Sequence, residues 1–119
     1  MRVVNVENLI RNVKEMCIEA NHFLTDDMNQ ALKRAADAEK SPLGKKILCQ
    51  LQDNLDIAAK DQIPICQDTG MAVLFVEIGQ DVHVEGGLIT DAVNEGVRQG
   101  YREGYLRKSV VDDPIIRNN

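Results

Sequence analysis

The chain predicts an α+β fold: a helical layer of about three helices, then a short β segment, then one further helix with a glycine stripe. Three observations lead there. Apolar residues recur at helical spacing up to about Lys60, a nearly continuous apolar run follows at Met71–Ile78, and Ala92, Gly96, Gly100 and Gly104 then repeat every four residues. Helices followed by β structure is an α+β order. With 119 residues and 44% hydrophobic content the chain can bury one modest core, so a single domain over 1–119 is expected.

Val6, Leu9, Ile10, Val13, Cys17 and Ala20 share one helical face, which predicts a helix over 6–21 with Cys17 in the core. Thr25 suits the N-cap of a second helix over about 26–39, with Asp26 and Asp27 where the macrodipole favours acids. Its buried face is Met28, Ala31, Leu32 and Ala35. Ser41-Pro42 is a capped start with proline at the first helical position, and Leu43, Ile47, Leu48, Leu51, Leu55 and Ala58 carry a third helix to about Lys60. Cys49 flanks that stripe and reads as structural.

Met71–Ile78 has the pattern of a strand covered on both faces and is expected to be a central strand. Val82-His83-Val84 alternates as a short second strand, with His83 opposite the valines. His83 and His22 both read as solvated or hydrogen-bonded residues rather than ligands. The last helix runs from about Leu88 to Tyr105. Each interior glycine costs about 1 kcal/mol relative to alanine, so three cost roughly 3 kcal/mol, which close backbone packing should offset. The other reading is a helix that bends or ends early at a glycine. Asp91, Glu95, Arg98 and Arg102 exclude a membrane reading of the spacing.

Between the third helix and the apolar run lies Ile63-Pro64-Ile65-Cys66-Gln67-Asp68-Thr69-Gly70. One turn here holds a soft thiol, suited to iron–sulfur clusters or zinc, beside hard carboxylate and amide groups suited to a polar substrate. The same residues also suit an ordinary connector. In that reading Pro64 stops the helix, Gly70 supplies a positive φ, and Cys66 is a small buried hydrophobe. Spacing alone leaves both open.

Composition narrows the function classes. A net charge of −5 and a pI near 5.0, with acids and bases interspersed, argue against nucleic acid and anionic membrane surfaces as partners. Tryptophan is absent and Phe and Tyr contribute two residues each, which removes the stacking platform of single-strand binders. No run is long enough to span a membrane, and the N-terminus lacks a secretory h-region, so a cytoplasmic location is expected. Cysteines at 17, 49 and 66 fit neither a disulfide framework nor a C-x-x-C metal spacing, and reduced thiols are expected.

Cys66-Gln67-Asp68-Thr69-Gly70 after a proline, leading into an apolar strand, resembles the signature of class I fumarate hydratases and L-tartrate dehydratases, iron–sulfur hydro-lyases. Glu85-Gly86-Gly87-Leu88, Glu95-Gly96-Val97, Gly100-Tyr101, Gly104-Tyr105-Leu106-Arg107-Lys108-Ser109 and Asp113-Pro114 are similar to the family's next segments in the same order. About half the chain carries the resemblance; residues 1 to 60 match only as a helical lead-in.

The resemblance implies a 4Fe–4S cluster held by three cysteine thiolates with one iron open to substrate, Cys66 matching one ligand and the other two lying further along the full-length polypeptide. It implies Gln67 as a substrate hydrogen-bond donor and Asp68 as a substrate-binding acceptor and catalytic participant in proton transfer. Arg107 matches an arginine that binds a substrate carboxylate, although a solvated arginine past a helix end is an equal reading of the residues alone. It also implies a small dicarboxylate substrate, a β-type subunit or C-terminal domain as partner, and an oligomer.

The family's subunit is well over twice as long, so these residues read as the N-terminal portion of an alpha-type catalytic region, the front of a larger α/β hydro-lyase subunit. Alone, the chain is expected to be inactive. The competing reading is a non-catalytic assembly or regulatory module that docks a partner on the glycine-faced helix. A thiol enzyme using Cys66 as nucleophile is disfavoured, because no histidine lies near it in sequence and no resolving cysteine exists.

Overall fold

The computed structural model describes residues 1–66 and 71–117. The chain is α+β, with element order β1 (Arg2–Asn5), α1 (Val6–His22), α2 (Asp26–Ala38), α3 (Pro42–Asp61), β2 (Val82–Glu85) and α4 (Ile89–Glu103). The described residues group into two compact units, one built from Met1–Ile18 and the residues from Met71 onward, the other from Glu19 to Cys66.

In the first unit, β1 and β2 pair in parallel, with Arg2 opposite Val82 and Asn5 opposite Glu85. The pleat puts Val82 and Val84 on a half-buried face and leaves His83 and Glu85 exposed, as the alternation predicts. β1 is not anticipated by the pattern. Its four residues earn strand geometry only through a partner some eighty positions away. Asn5 then turns strand into helix, its Oδ1 accepting the Glu7 amide at 2.8 Å.

The glycine face of α4 packs on α1. A Cβ built on Gly96 would stand 2.7 Å from Val13 Cβ and 2.8 Å from the Ile10 carbonyl oxygen. On Gly100 it would stand 2.8 Å from Cys17 Cβ. Ala92, Gly96 and Gly100 are buried accordingly. The cost of interior glycine is therefore offset by backbone approach, and the face that the assembly-module reading needed for docking is already occupied by α1. Cys17 lies half-buried in this contact, where burial pushes its thiol pKa up.

In the second unit, α3 starts as expected: Ser41 is the N-cap, its Oγ accepts the Gly44 amide at 3.3 Å, and Pro42 opens the helix. Thr25 sits at the N-cap of α2 without a side-chain capping bond. Its hydroxyl goes to Asp27, and this bond is the main cause lowering that carboxyl's pKa. Cover over the apolar stripes is thin. Ala36 and Ala58 are buried, but Met28, Leu43, Ile47 and Leu51 remain substantially exposed, and Cys49 is exposed rather than packed.

The expected central strand at Met71–Ile78 does not form. The run is irregular, with Phe75 96% and Val73 68% exposed. Apolar, β-branched composition favours a strand only where a partner and covering faces exist; among the described residues the run has no strand partner, and only Ala72 and Leu74 are half-buried. His22 also departs from expectation. It ends α1 only 5% exposed, and among the described residues neither ring nitrogen has a hydrogen-bond partner.

Candidate functional site

The Cys66 turn begins where α3 stops. Gln62 takes the left-handed conformation, φ 53°, and its amide and that of Ile63 both return to the Ala58 carbonyl. Pro64 cannot continue a helix. Ile65 is buried, and its amide donates to the Asn21 carbonyl in the last turn of α1 at 2.8 Å. The next amide, that of Cys66, donates to Asn54 Oδ1 on α3 at 3.0 Å. Two consecutive amides are thus held by two different helices while the Cys66 side chain is exposed. The reading of Cys66 as a small buried hydrophobe is ruled out.

Gln67 and Asp68, the expected substrate-facing residues, lie outside the described residues, as do Thr69 and Gly70. Arg107 lies in the other unit. α4 ends with Tyr105 at φ 53° and the Leu106 amide bonded to the Tyr101 carbonyl at 3.0 Å, a closing turn that buries Leu106 and leaves Arg107 exposed immediately after it. It stands as a charged fork at a helix end rather than as part of a helical face.

Sequence reasoning missed Asn54. Its bond to Cys66 spans twelve positions and depends on which way α3 faces, and hydrophobic periodicity reports apolar positions only. Nothing in the spacing marks it.

Two grooves among the described residues make poor dicarboxylate sites. One, of about 240 Å³, is walled largely by apolar side chains such as Val4, Leu9, Ile78 and Val82, and its one cation, Arg2, is matched by one acid, Glu77. The other, of about 360 Å³ between α2 and α3, sets Asp26 and Asp56 against one cation, Lys33, and so repels an anion.

Among the described residues no three His, Cys, Asp or Glu side chains gather closely enough to hold a metal ion. As a donor, the exposed Cys66 thiol fits one corner of an iron–sulfur cluster. Cys17 is packed into the α1–α4 contact and Cys49 faces outward from α3. This stretch of polypeptide fits as the source of one ligand.

The sequence profile of the fumarate hydratase (Fumerase) family matches residues 10–119. The chain belongs to that family. Among its relatives is a protein provisionally named L(+)-tartrate dehydratase subunit alpha from Methanocaldococcus jannaschii, 35% identical over 108 residues, or 90% of this chain and 38% of the relative. The L(+)-tartrate dehydratase subunit alpha of Escherichia coli K12 is 38% identical over 65 residues, 55% of this chain and 22% of the relative. The chain therefore spans well under half the length of the family members it matches. Within the family match fall α2, α3, the Cys66 turn and the whole of α4.

Proposed function

We propose that this chain is the N-terminal portion, residues 1–119 as a single domain, of the alpha-type catalytic region of an iron–sulfur hydro-lyase that hydrates fumarate to malate or dehydrates tartrate. The observation that carries the reading is an exposed Cys66 thiol on a backbone pinned from two helices, at the head of the Cys-Gln-Asp-Thr-Gly signature, inside the family match.

Adding or removing water next to a carboxylate needs a polarised hydroxyl, fixed carboxylates and a positioned proton acceptor. When bound, a 4Fe–4S cluster supplies the Lewis acidity. In this reading Cys66 is one of its three thiolate ligands. Gln67 donates a hydrogen bond that orients the substrate, and the Asp68 carboxylate accepts from the substrate hydroxyl and holds or moves the proton. Arg107 presents two parallel N–H donors to a substrate carboxylate.

The names of the relatives support a β-type partner, either a second subunit or a C-terminal domain, within an oligomer. The exposed Met71–Ile78 run supports the same view, since a larger assembly would cover it. No described helix is long and apolar enough to cross a membrane. A cytoplasmic location, with thiols kept reduced, completes the reading.

The test is an assay of fumarate hydration and L(+)-tartrate dehydration by the assembled protein beside the 119-residue chain alone. Turnover by the assembly and none by the chain is expected. Stoichiometric iron and sulfide together with fumarate hydration by the chain alone would overturn the reading.

A further inference from the structure

We propose that Asn54 is a positioning residue for the Cys66 thiolate, its side-chain carbonyl taking the Cys66 amide and so setting the direction in which the thiol leaves the turn. The proposal rests on the reading of Cys66 as an iron ligand. Ile65 and Cys66 belong to no helix or strand, so their amides have no partner within an element of their own. Yet the Ile65 amide is held by the Asn21 carbonyl at 2.8 Å and the Cys66 amide by Asn54 Oδ1 at 3.0 Å. The buried Ile65 side chain anchors the same segment. Holding both amides restricts rotation on either side of the Ile65–Cys66 peptide, and this orients the Cα–Cβ bond of Cys66.

A ligand whose backbone is fixed before the metal arrives loses less conformational freedom on binding, and supporting hydrogen bonds of this kind tune metal sites broadly. An amide serves here better than a carboxylate of the same size. Both accept the Cys66 N–H, but aspartate would add a negative charge beside a thiolate that must share electrons with an already anionic cluster.

Two variants separate acceptor from charge. Asn54→Ala removes the acceptor at a half-buried position on α3 and is favourable for the helix, so the chain should still fold. Asn54→Asp keeps the acceptor. In the 119-residue chain, the Cys66 amide should exchange with deuterium about tenfold faster in Asn54→Ala than in the wild type, and near the wild-type rate in Asn54→Asp. Exchange at Cys66 that is the same in wild type and Asn54→Ala overturns the proposal, as does Asn54→Asp exchanging as fast as Asn54→Ala.

Iron content of the assembled enzyme separates this proposal from the reading beneath it. If Cys66→Ser leaves iron unchanged, the ligand reading fails whatever Asn54 does. If Cys66→Ser removes iron and Asn54→Ala does not lower it, the positioning proposal fails alone. Lowered iron in Asn54→Ala, with normal folding by circular dichroism, is the expected result.

Discussion

At the scale of single residues, His22 and Asn54 are the informative side chains. A buried imidazole whose two nitrogens meet no partner among the described residues carries a desolvation penalty of about 1–3 kcal/mol. Replacing it with a shape-filling apolar residue should recover part of that. His22→Leu is expected to raise the stability of the 119-residue chain by about 1 kcal/mol in urea unfolding, and a loss of stability would show that the ring is hydrogen-bonded in solution. Legibility at this scale follows from the kind of interaction. Cys66 could be placed at the turn because Pro64 and the flanking helical pattern punctuate the chain there. His22 and Asn54 could not, because burial at a helix end and a bond across twelve positions depend on three-dimensional packing.

At the scale of elements, local signals carried the helices. The Ser41-Pro42 start of α3 and the apolar spacing of α1 and α4 set their boundaries to within about two residues. The strands depended on partners. β1 forms through pairing with a distant β2, while the more strand-like Met71–Ile78 run has no strand partner among the described residues and stays irregular. The glycine stripe shows how a costly local choice is recovered by packing, and two alanine substitutions test it. Gly100→Ala gains about 1 kcal/mol of helix propensity but drives a methyl to within 2.8 Å of Cys17 Cβ and 3.0 Å of the Lys14 carbonyl oxygen. The clash should win, with a net loss of about 1–3 kcal/mol. The nearest atoms a Gly44→Ala methyl meets are those of the Glu39 side chain, with Cδ at 2.9 Å, which can swing away, so that variant should melt at or above the wild-type temperature. Equal melting of Gly100→Ala and the wild type would mean that α1 and α4 do not approach as closely as described.

At the scale of the molecule, the α+β order was legible and the covering of its faces was not. Among the described residues no large side chain is completely buried, and Phe75, Met71, Leu43 and Ile115 remain open to solvent. Hydrophobic pattern marks which faces are to be covered without saying what covers them. Cys66 in one unit and Arg107 in the other are each held by their own local turn. The central claim, that this polypeptide contributes one iron-binding thiolate to a hydro-lyase, is tested most directly by changing each cysteine separately. Cys17→Ser, Cys49→Ser and Cys66→Ser would be made in the assembled enzyme, and iron, acid-labile sulfide and fumarate or L(+)-tartrate turnover measured for each. Loss of cluster and turnover in Cys66→Ser alone is the predicted result; a Cys66→Ser enzyme that keeps its iron, sulfide and activity would contradict the account.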